Sequence, residues 1–408
     1  MKNNNSTAAL LFTGIFLFLV TGLLQAAEPS LTLEQIWKDR YFAPKGIRLG
    51  QSMDDGLHYS IVENQTDINI YTYEEGVLQR TVFSTEGQLT NDQGRALRIS
   101  DYIFSPNEKT LLIGVNRESI YRHSYVAEYF VWDLERQTLE PLSEGTRLSL
   151  PTFSPDGRKV AFVRENNLFV KDLDAGVETA VTRDGLFNHI INGSADWVYE
   201  EEFGFTRGFD WSADGRRLAF YRFDESRVKE FNMILYGSLY PEDYRFKYPK
   251  AGEENSEVSI HIYDVETGRT IKVDTGSETD QYIPRIGWTR NPELLSVTRM
   301  NRHQNHLELL LVDARSGGSE ILYEEHNLYY IEVTNDLTFL KDGRHFVISS
   351  EKSGYKHLYL YDLQGREVRA LTSGEWDVQR FFGVDEEHGL VYFTSHEASP
   401  LQNHLYSV

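Results

Sequence analysis

Three consecutive glutamates, Glu200, Glu201 and Glu202, lie in the aromatic segment DWVYEEEF at residues 196–203. Adjacent carboxylates repel one another, and an isolated acidic triplet is most often a solvated turn. Here the large apolar rings around the triplet, such as that of Trp197, favour burial and would hold the acids in a fixed frame. A short helical turn would place at least two carboxylates side by side at the rim of a cavity. Such a pair suits a cationic ligand, most simply a primary ammonium, whose three donors need several acceptors.

Charge and composition limit the partners and cofactors of the chain. A formal net charge of −21 repels phosphate backbones, so we expect no nucleic-acid binding. The chain has no cysteine, which excludes disulfides, thiol catalysis and thiolate metal sites. His303 and His306 are close together, but without a third ligand nearby in the sequence we expect no metal site and no cofactor.

The N-terminus predicts export. Lys2 precedes an apolar run at residues 8–24, which the small residues Ala26 and Ala27 follow. A charged start, an apolar middle and small residues before a polar segment are typical of a signal peptide, here residues 1–27. The alternative is an uncleaved membrane anchor, because the run is close to the shortest length that spans a bilayer. Both predict that the bulk of the protein is periplasmic, on the cell surface or extracellular.

A short helix and then a repeated β pattern follow the export segment. Residues 28–49 contain Thr32 with Gln35 three positions later, which predicts a capping box and a short helical segment. From residue 50 to residue 408 a pattern recurs of an aromatic residue, a polar turn, an apolar strand and a second strand. Copies of the aromatic residue and turn begin at Phe104, Phe153, Trp211, Trp288 and Phe339.

The repeat predicts an all-β fold. Asp-Gly between two apolar runs indicates a hairpin, because glycine accepts the positive φ of such turns. A period of about 50 residues with about four strands per unit is typical of a β-propeller of four-stranded blades. The abundance of tyrosine (24) and phenylalanine (23) and the scarcity of methionine (4) also favour sheet. With a weaker first copy at residues 54–56 and a last one at residues 384–386, we count seven units, of which the last is still strand-like at Val408.

Three segments in this order resemble the propeller of dipeptidyl peptidase IV and its bacterial relatives. They are YRHSY at residues 121–125, DWVYEEEF at residues 196–203 and YPKAG at residues 248–252. The resemblance extends over residues 31–408. It implies an expected total of eight blades, so that the propeller at residues 50–408 is expected to be incomplete at its C-terminus.

The resemblance also implies a function in proteolysis. Members of the family remove a dipeptide from peptide N-termini whose second residue is proline or alanine. By motif position, Glu201 and Glu202 are the pair expected to bind the substrate's α-ammonium, and Arg122 is expected to hold its carbonyl groups. The residues expected to support this site are Glu200, Asp196, Trp197 and Tyr199.

The sequence departs from the family pattern in the catalytic machinery. In the family the nucleophilic serine belongs to an α/β-hydrolase domain after the propeller, on a Gly-x-Ser-x-Gly turn, and no such turn occurs in this chain. We therefore expect no catalytic residue and no hydrolysis from this chain alone. The alternative is a stand-alone propeller that binds peptides or proteins. The resemblance further implies a possible homodimer through an arm at residues 231–249, which begins with Phe231 and ends with Pro249.

Overall fold

The computed structural model describes residues 31–43 and 50–408. The described residues divide into two compact units, one that ends at Gln51 and one that begins at Ser52 and ends at Val408. The signal peptide expected at residues 1–27 lies outside the described residues. Among the residues that are described, no helix has the length and apolar character needed to cross a membrane.

A single π-helical turn, Glu34–Lys38, lies in the first unit. The backbone N–H of Thr32 donates to Oε1 of Gln35 at 3.1 Å, and the backbone N–H of Gln35 donates to Oγ1 of Thr32 at 3.1 Å. These two reciprocal bonds are the expected capping box, which satisfies donors that have no partner within the turn. The short helical segment predicted from the sequence is therefore confirmed.

The second unit begins with three four-stranded antiparallel sheets, each made of consecutive strands. We call these sheets blades 1 to 3. Blade 1 contains β1 (Gln51–Ser52), β2 (His58–Glu63), β3 (Asp67–Thr72) and β4 (Leu78–Ser84). Blade 2 contains β5 (Ile99–Phe104), β6 (Thr110–Ser119), β7 (Tyr125–Asp133) and β8 (Thr138–Pro141). Blade 3 contains β9 (Ser149–Phe153), β10 (Lys159–Arg164), β11 (Asn167–Asp172) and β12 (Val177–Ala180).

Blade 4 is interrupted twice. It begins with β13 (Ile190–Asn192), the one-turn helix α1 (Trp197–Glu201), β14 (Phe209–Trp211) and β15 (Arg217–Asp224). A separate hairpin follows, β16 (Glu230–Leu235) and β17 (Glu242–Lys247), and the blade then closes with β18 (Glu257–Asp264) and β19 (Thr270–Lys272). Both β13 and β14 pair with β15, and β18 pairs with β15 on its other side. The connection between β13 and β14 thus carries the acidic triplet, and the hairpin overlaps the predicted arm except for its first residue, Glu230.

Three further blades complete the described part of the second unit. Blade 5 contains β20 (Gln281–Trp288), β21 (Leu294–Asn301), β22 (His306–Asp313) and β23 (Ser319–His326). Blade 6 contains β24 (Thr338–Phe339), β25 (His345–Ser350), β26 (His357–Asp362) and β27 (Glu367–Ala370), and blade 7 contains β28 (Val378–Asp385), β29 (Leu390–Ser395) and β30 (His404–Ser407). The seven blades match the seven repeats counted in the sequence, and the predicted β-propeller is confirmed.

The apolar core lies between consecutive blades. In β10, Ala161 and Val163 pack towards blade 4, whereas Val160 and Phe162 pack towards blade 2. Successive side chains of a strand point to opposite faces of its sheet, so a blade with a neighbour on each side buries both faces. This arrangement explains why the inner strands read as continuous apolar runs rather than as alternating ones.

The repeated turns have a common hydrogen-bonding pattern. In blade 3 the hydroxyl of Ser154 donates to Oδ1 of Asp156 at 2.6 Å and accepts from the backbone N–H of Lys159 at 3.0 Å. Gly157 has a φ of +72° in this turn. Ser105 and Ser212 make the corresponding bonds in blades 2 and 4. A buried serine therefore fixes the hairpin turn in blades 2, 3 and 4.

Candidate functional site

Asp196 fixes the start of α1. Its Oδ1 accepts from the backbone N–H of Tyr199 at 2.9 Å, and its Oδ2 accepts from the hydroxyl of Ser256 at 2.6 Å. Aspartate is a favoured residue at this position because its carboxylate satisfies a backbone donor that has no partner inside the helix. The second bond ties the turn to the segment that precedes β18. The start of α1 is thus held both locally and by a residue far along the chain.

Tyr199 anchors the turn in the core between blades 4 and 5. Its side chain is buried, and its ring centroid lies 4.9 Å from those of Phe203 and Phe223. Its hydroxyl oxygen accepts from the backbone N–H of Ile283 at 2.9 Å. On the other side of the turn, the ring of Trp197 lies 4.1 Å from that of Tyr248 in the predicted arm. The aromatic residues around the triplet therefore act as a rigid frame for α1.

The three glutamates differ in their surroundings. Glu200 is almost fully buried, the side chain of Glu201 is 16% exposed, and Glu202 is exposed at the end of α1. Oε1 of Glu200 accepts from the backbone N–H groups of His123 and Ser124 at 2.7 Å and 2.9 Å. Glu200 thus holds the loop at residues 121–125 rather than the acidic turn itself.

Arg122 lies in the loop that Glu200 holds. Its Nε is 3.3 Å from Oε2 of Glu201, and its side chain is 71% exposed. Besides Nε, the guanidinium group has further N–H donors. The structure therefore brings Arg122, Glu200 and Glu201 together, although Arg122 is distant from both glutamates in the sequence.

Glu202 lines a cavity of about 740 Å³ beside α1. The walls are rich in aromatic residues and include Trp197 and residues of the arm, and two cationic residues, Lys250 and Arg302, also line the cavity. Cavities of several hundred Å³ with apolar walls and a few charged groups are typical of ligand sites. Another cavity, of about 510 Å³, contains Trp288 and Phe339 in its walls but none of the predicted site residues. The cavity at Glu202 is the one that the sequence-predicted site adjoins.

Buried acids lie beneath the site. Burial raises the pKa of Asp196 above its ordinary value. Burial, and secondarily the charge of Asp196, raises the pKa of Glu225 to about 7. Burial also raises the pKa of Tyr121, with smaller contributions from neighbouring groups that include Glu225. A cation bound near these acids would favour their ionised forms. Glu225 was not predicted from the sequence, where its one signal is its position directly after the strand β15.

We expect Glu225 to make the stability of the protein depend on pH. Its folded-state pKa of about 7 lies above the ordinary value of 4.5. The folded state therefore binds the proton more tightly, and stability falls as pH rises from about 4.5 to about 7. We expect Glu225→Gln to match the native chain near pH 4.5 and to exceed its free energy of unfolding by about 2 kcal/mol above pH 7. Urea unfolding across this pH range checks the expectation, with exposed Glu320→Gln as the control. The expectation would be contradicted if the free energies of unfolding of the native chain and of Glu225→Gln changed with pH in the same way.

The fold and the site together define a β-propeller that presents paired acids and an arginine beside an aromatic cavity. Residues 105–408 match the family described as the dipeptidyl peptidase IV (DPP IV) N-terminal region. The chain belongs to this family. The resemblance identified from the acidic triplet and its companion motifs is thereby confirmed.

Relatives agree with this assignment. The chain is similar to the crystal structure of Porphyromonas gingivalis dipeptidyl peptidase 4, with 41% identity and a TM-score of 0.86 over 93% of this chain and 54% of that one. It is 33% identical to the probable dipeptidyl-aminopeptidase B of Emericella nidulans over 93% of this chain and 46% of that protein. A putative dipeptidyl aminopeptidase IV of Bacteroides ovatus, 24% identical with a TM-score of 0.65 over 88% of this chain and 53% of that one, supports the fold alone. The chain thus spans about half the length of these relatives.

Proposed function

We propose that this propeller binds the free N-terminus of a peptide as the substrate-binding portion of a serine exopeptidase that releases N-terminal X-Pro or X-Ala dipeptides. The observation that carries the proposal is the partly buried carboxylate of Glu201, which adjoins Glu202 in the chain and faces Arg122. The family relationship supplies the class of reaction. The hydrolytic step is assigned to an α/β-hydrolase domain and not to residues of this propeller.

The proposed binding mode follows from the chemistry of an ammonium group. An ammonium has three donors, and carboxylate oxygens of Glu201 and Glu202 can accept them as charge-assisted hydrogen bonds. Glu201 is only 16% exposed, so its attraction to a cation is less screened than that of a surface acid. The ammonium in turn favours the ionised form of both neighbouring acids.

Arg122 completes the proposed mode. Its guanidinium reaches Glu201 through Nε and leaves further N–H groups for a peptide carbonyl. An anchor at the amine and a second one at the backbone carbonyl fix the direction of the peptide. The scissile bond is then set at a constant distance from the N-terminus, which limits the product to a dipeptide.

Two further parts of the proposal concern location and assembly. We propose that the protein acts outside the cytoplasm, on the evidence of the apolar segment and small residues within positions 1–27.

We also propose that the arm mediates a homodimer. Its hairpin exposes apolar side chains that favour association, namely those of Met233, Ile234, Leu235, Tyr236, Leu239 and Tyr240.

The proposal predicts that binding depends on a free amino group. The peptide Ala-Pro-Ala should bind this chain at least about 30-fold more tightly than its N-acetylated form, because acetylation removes the positive charge and donors of the ammonium. Ligand-observed NMR titration measures both affinities on the same protein sample. Equal affinities for the two peptides, or preference for the acetylated one, would overturn the proposal.

A further inference from the structure

Two histidines and a glutamate meet on one face of blade 5. In the pairing of β22 with β23, His306 lies directly opposite His326. Glu324 precedes His326 by two positions, so both side chains lie on the same face of the sheet. The side chains of His306, Glu324 and His326 are 30%, 47% and 66% exposed, respectively. The cluster is therefore accessible from solvent.

The potential ligand atoms already converge. Nε2 of His306 lies 2.8 Å from Oε1 of Glu324, and Nε2 of His326 lies 3.1 Å from the same oxygen. The two imidazole rings are stacked with centroids 4.0 Å apart. A tetrahedral zinc ion with bonds of about 2.0–2.2 Å separates its ligand atoms by about 3.3 Å. Small rotations of three solvent-accessible side chains would therefore admit an ion.

The backbone beneath the cluster is fixed. The backbone N–H of Asn327 donates to the carbonyl of Asn305 at 2.9 Å, directly beyond the histidine pair. Oδ1 of Asn301 accepts from the backbone N–H groups of Asn305 and His306 at 3.1 Å and 3.2 Å. A ligand set on a fixed strand pair needs little ordering to bind an ion.

A second acid on this face, Glu308, is engaged elsewhere. Both carboxylate oxygens of Glu308 accept from Arg299, at 2.6 Å and 3.0 Å. The bidentate pair neutralises Glu308 and directs it away from the histidines. The cluster thus offers two imidazole nitrogens and one carboxylate, a set that suits Zn²⁺ and related transition-metal ions rather than Ca²⁺ or Mg²⁺.

We propose that His306, Glu324 and His326 bind one divalent transition-metal ion, with Zn²⁺ the best match, and leave at least one position open to water. Three protein ligands with an open position are a common arrangement for zinc. Gln304 and Tyr330, which flank the cluster along the chain, line the cavity beside α1. A bound ion would clamp the ends of β22 and β23 next to that cavity.

Zinc titration tests the proposal directly. Untagged protein, treated with a chelator and dialysed, should bind one Zn²⁺ per chain by isothermal titration calorimetry and should show a higher melting temperature with Zn²⁺. Ca²⁺ and Mg²⁺ should give neither signal. Because removal of even an outer-shell partner weakens metal binding about tenfold or more, His326→Ala should weaken it by at least about that factor.

The controls separate loss of a ligand from loss of the fold. His326 is largely exposed, so His326→Ala should keep the native melting temperature in the absence of zinc. His303→Ala removes a nearby histidine that is not part of the cluster and should bind zinc as the native chain does. A flat zinc isotherm for the native chain would overturn the proposal. Zinc binding that is weakened as much by His303→Ala as by His326→Ala would overturn it as well.

Discussion

Replacement of both Glu201 and Glu202 by glutamine should lower the affinity for a free peptide N-terminus by about 100-fold or more. Glutamine keeps the size of each side chain and one acceptor oxygen but removes the negative charge. The ammonium would then lose both charge-assisted bonds in a partly buried site. Titration with Ala-Pro-Ala and with its N-acetylated form measures the effect. The variant should no longer discriminate between the two peptides.

Single and control variants sharpen this expectation. Glu201→Gln should have a larger effect than Glu202→Gln, because Glu201 is less exposed and lies against Arg122. The double variant Glu140→Gln with Glu320→Gln removes the same total charge from exposed positions on β8 and β23 and should bind as the native chain does. Near-native discrimination by the Glu201 and Glu202 double variant would exclude the ammonium anchor. Equal losses in the control would point to long-range charge instead.

The fold was predictable from the sequence because it repeats. Blades 2, 3 and 4 carry clear copies of the same local signals, an aromatic residue, a polar turn and an apolar strand, and these copies support the weaker ones. The capping box of Thr32 and Gln35 was also predictable, since it depends on residues three positions apart. Patterns of residues that are close together in the sequence predict local geometry without knowledge of the rest of the fold.

Part of the candidate site was predictable because its residues are also close together in the sequence. The triplet at Glu200, Glu201 and Glu202 is contiguous with its aromatic neighbours, and the helical turn Trp197–Glu201 is followed directly by Glu202. The family resemblance added Arg122. Which glutamate faces which partner was not predictable from the residues. The bonds from Glu200 to the backbone of residues 123 and 124 depend on how blades 2 and 4 pack in three dimensions.

The histidine cluster is another feature that could not be predicted from the sequence. In the sequence, His303 and His306 are candidate metal ligands because they are close together, but no third ligand lies near them. In the structure, the partners of His306 come from the next strand, and His303 is not among them. Antiparallel pairing places His326 opposite His306 although twenty positions separate them. The register of two strands cannot be read from spacing alone.

Tyr199 should be the most sensitive position of the site for stability. Truncation of a buried aromatic residue leaves a cavity, so Tyr199→Ala should cost about 3–5 kcal/mol of unfolding free energy. Tyr199→Phe keeps the ring packing but leaves the buried backbone N–H of Ile283 without its acceptor, at a cost of about 1–2 kcal/mol. Urea unfolding of both variants measures the costs. Because α1 depends on this anchor, peptide affinity should fall in both variants, and most in Tyr199→Ala.

Tyr221 provides the matched control for this prediction. Its hydroxyl donates to the backbone carbonyl of Ile283 at 2.9 Å, so one residue of blade 5 binds both tyrosines. Tyr221→Phe should therefore cost a similar amount, about 1–2 kcal/mol, in unfolding free energy. Tyr221 belongs to β15, however, and not to α1, so this variant should keep native peptide affinity. Equal weakening of peptide binding by Tyr221→Phe and Tyr199→Phe would show that the effect comes from the core between blades 4 and 5. It would contradict a specific role of Tyr199 in holding the acidic turn.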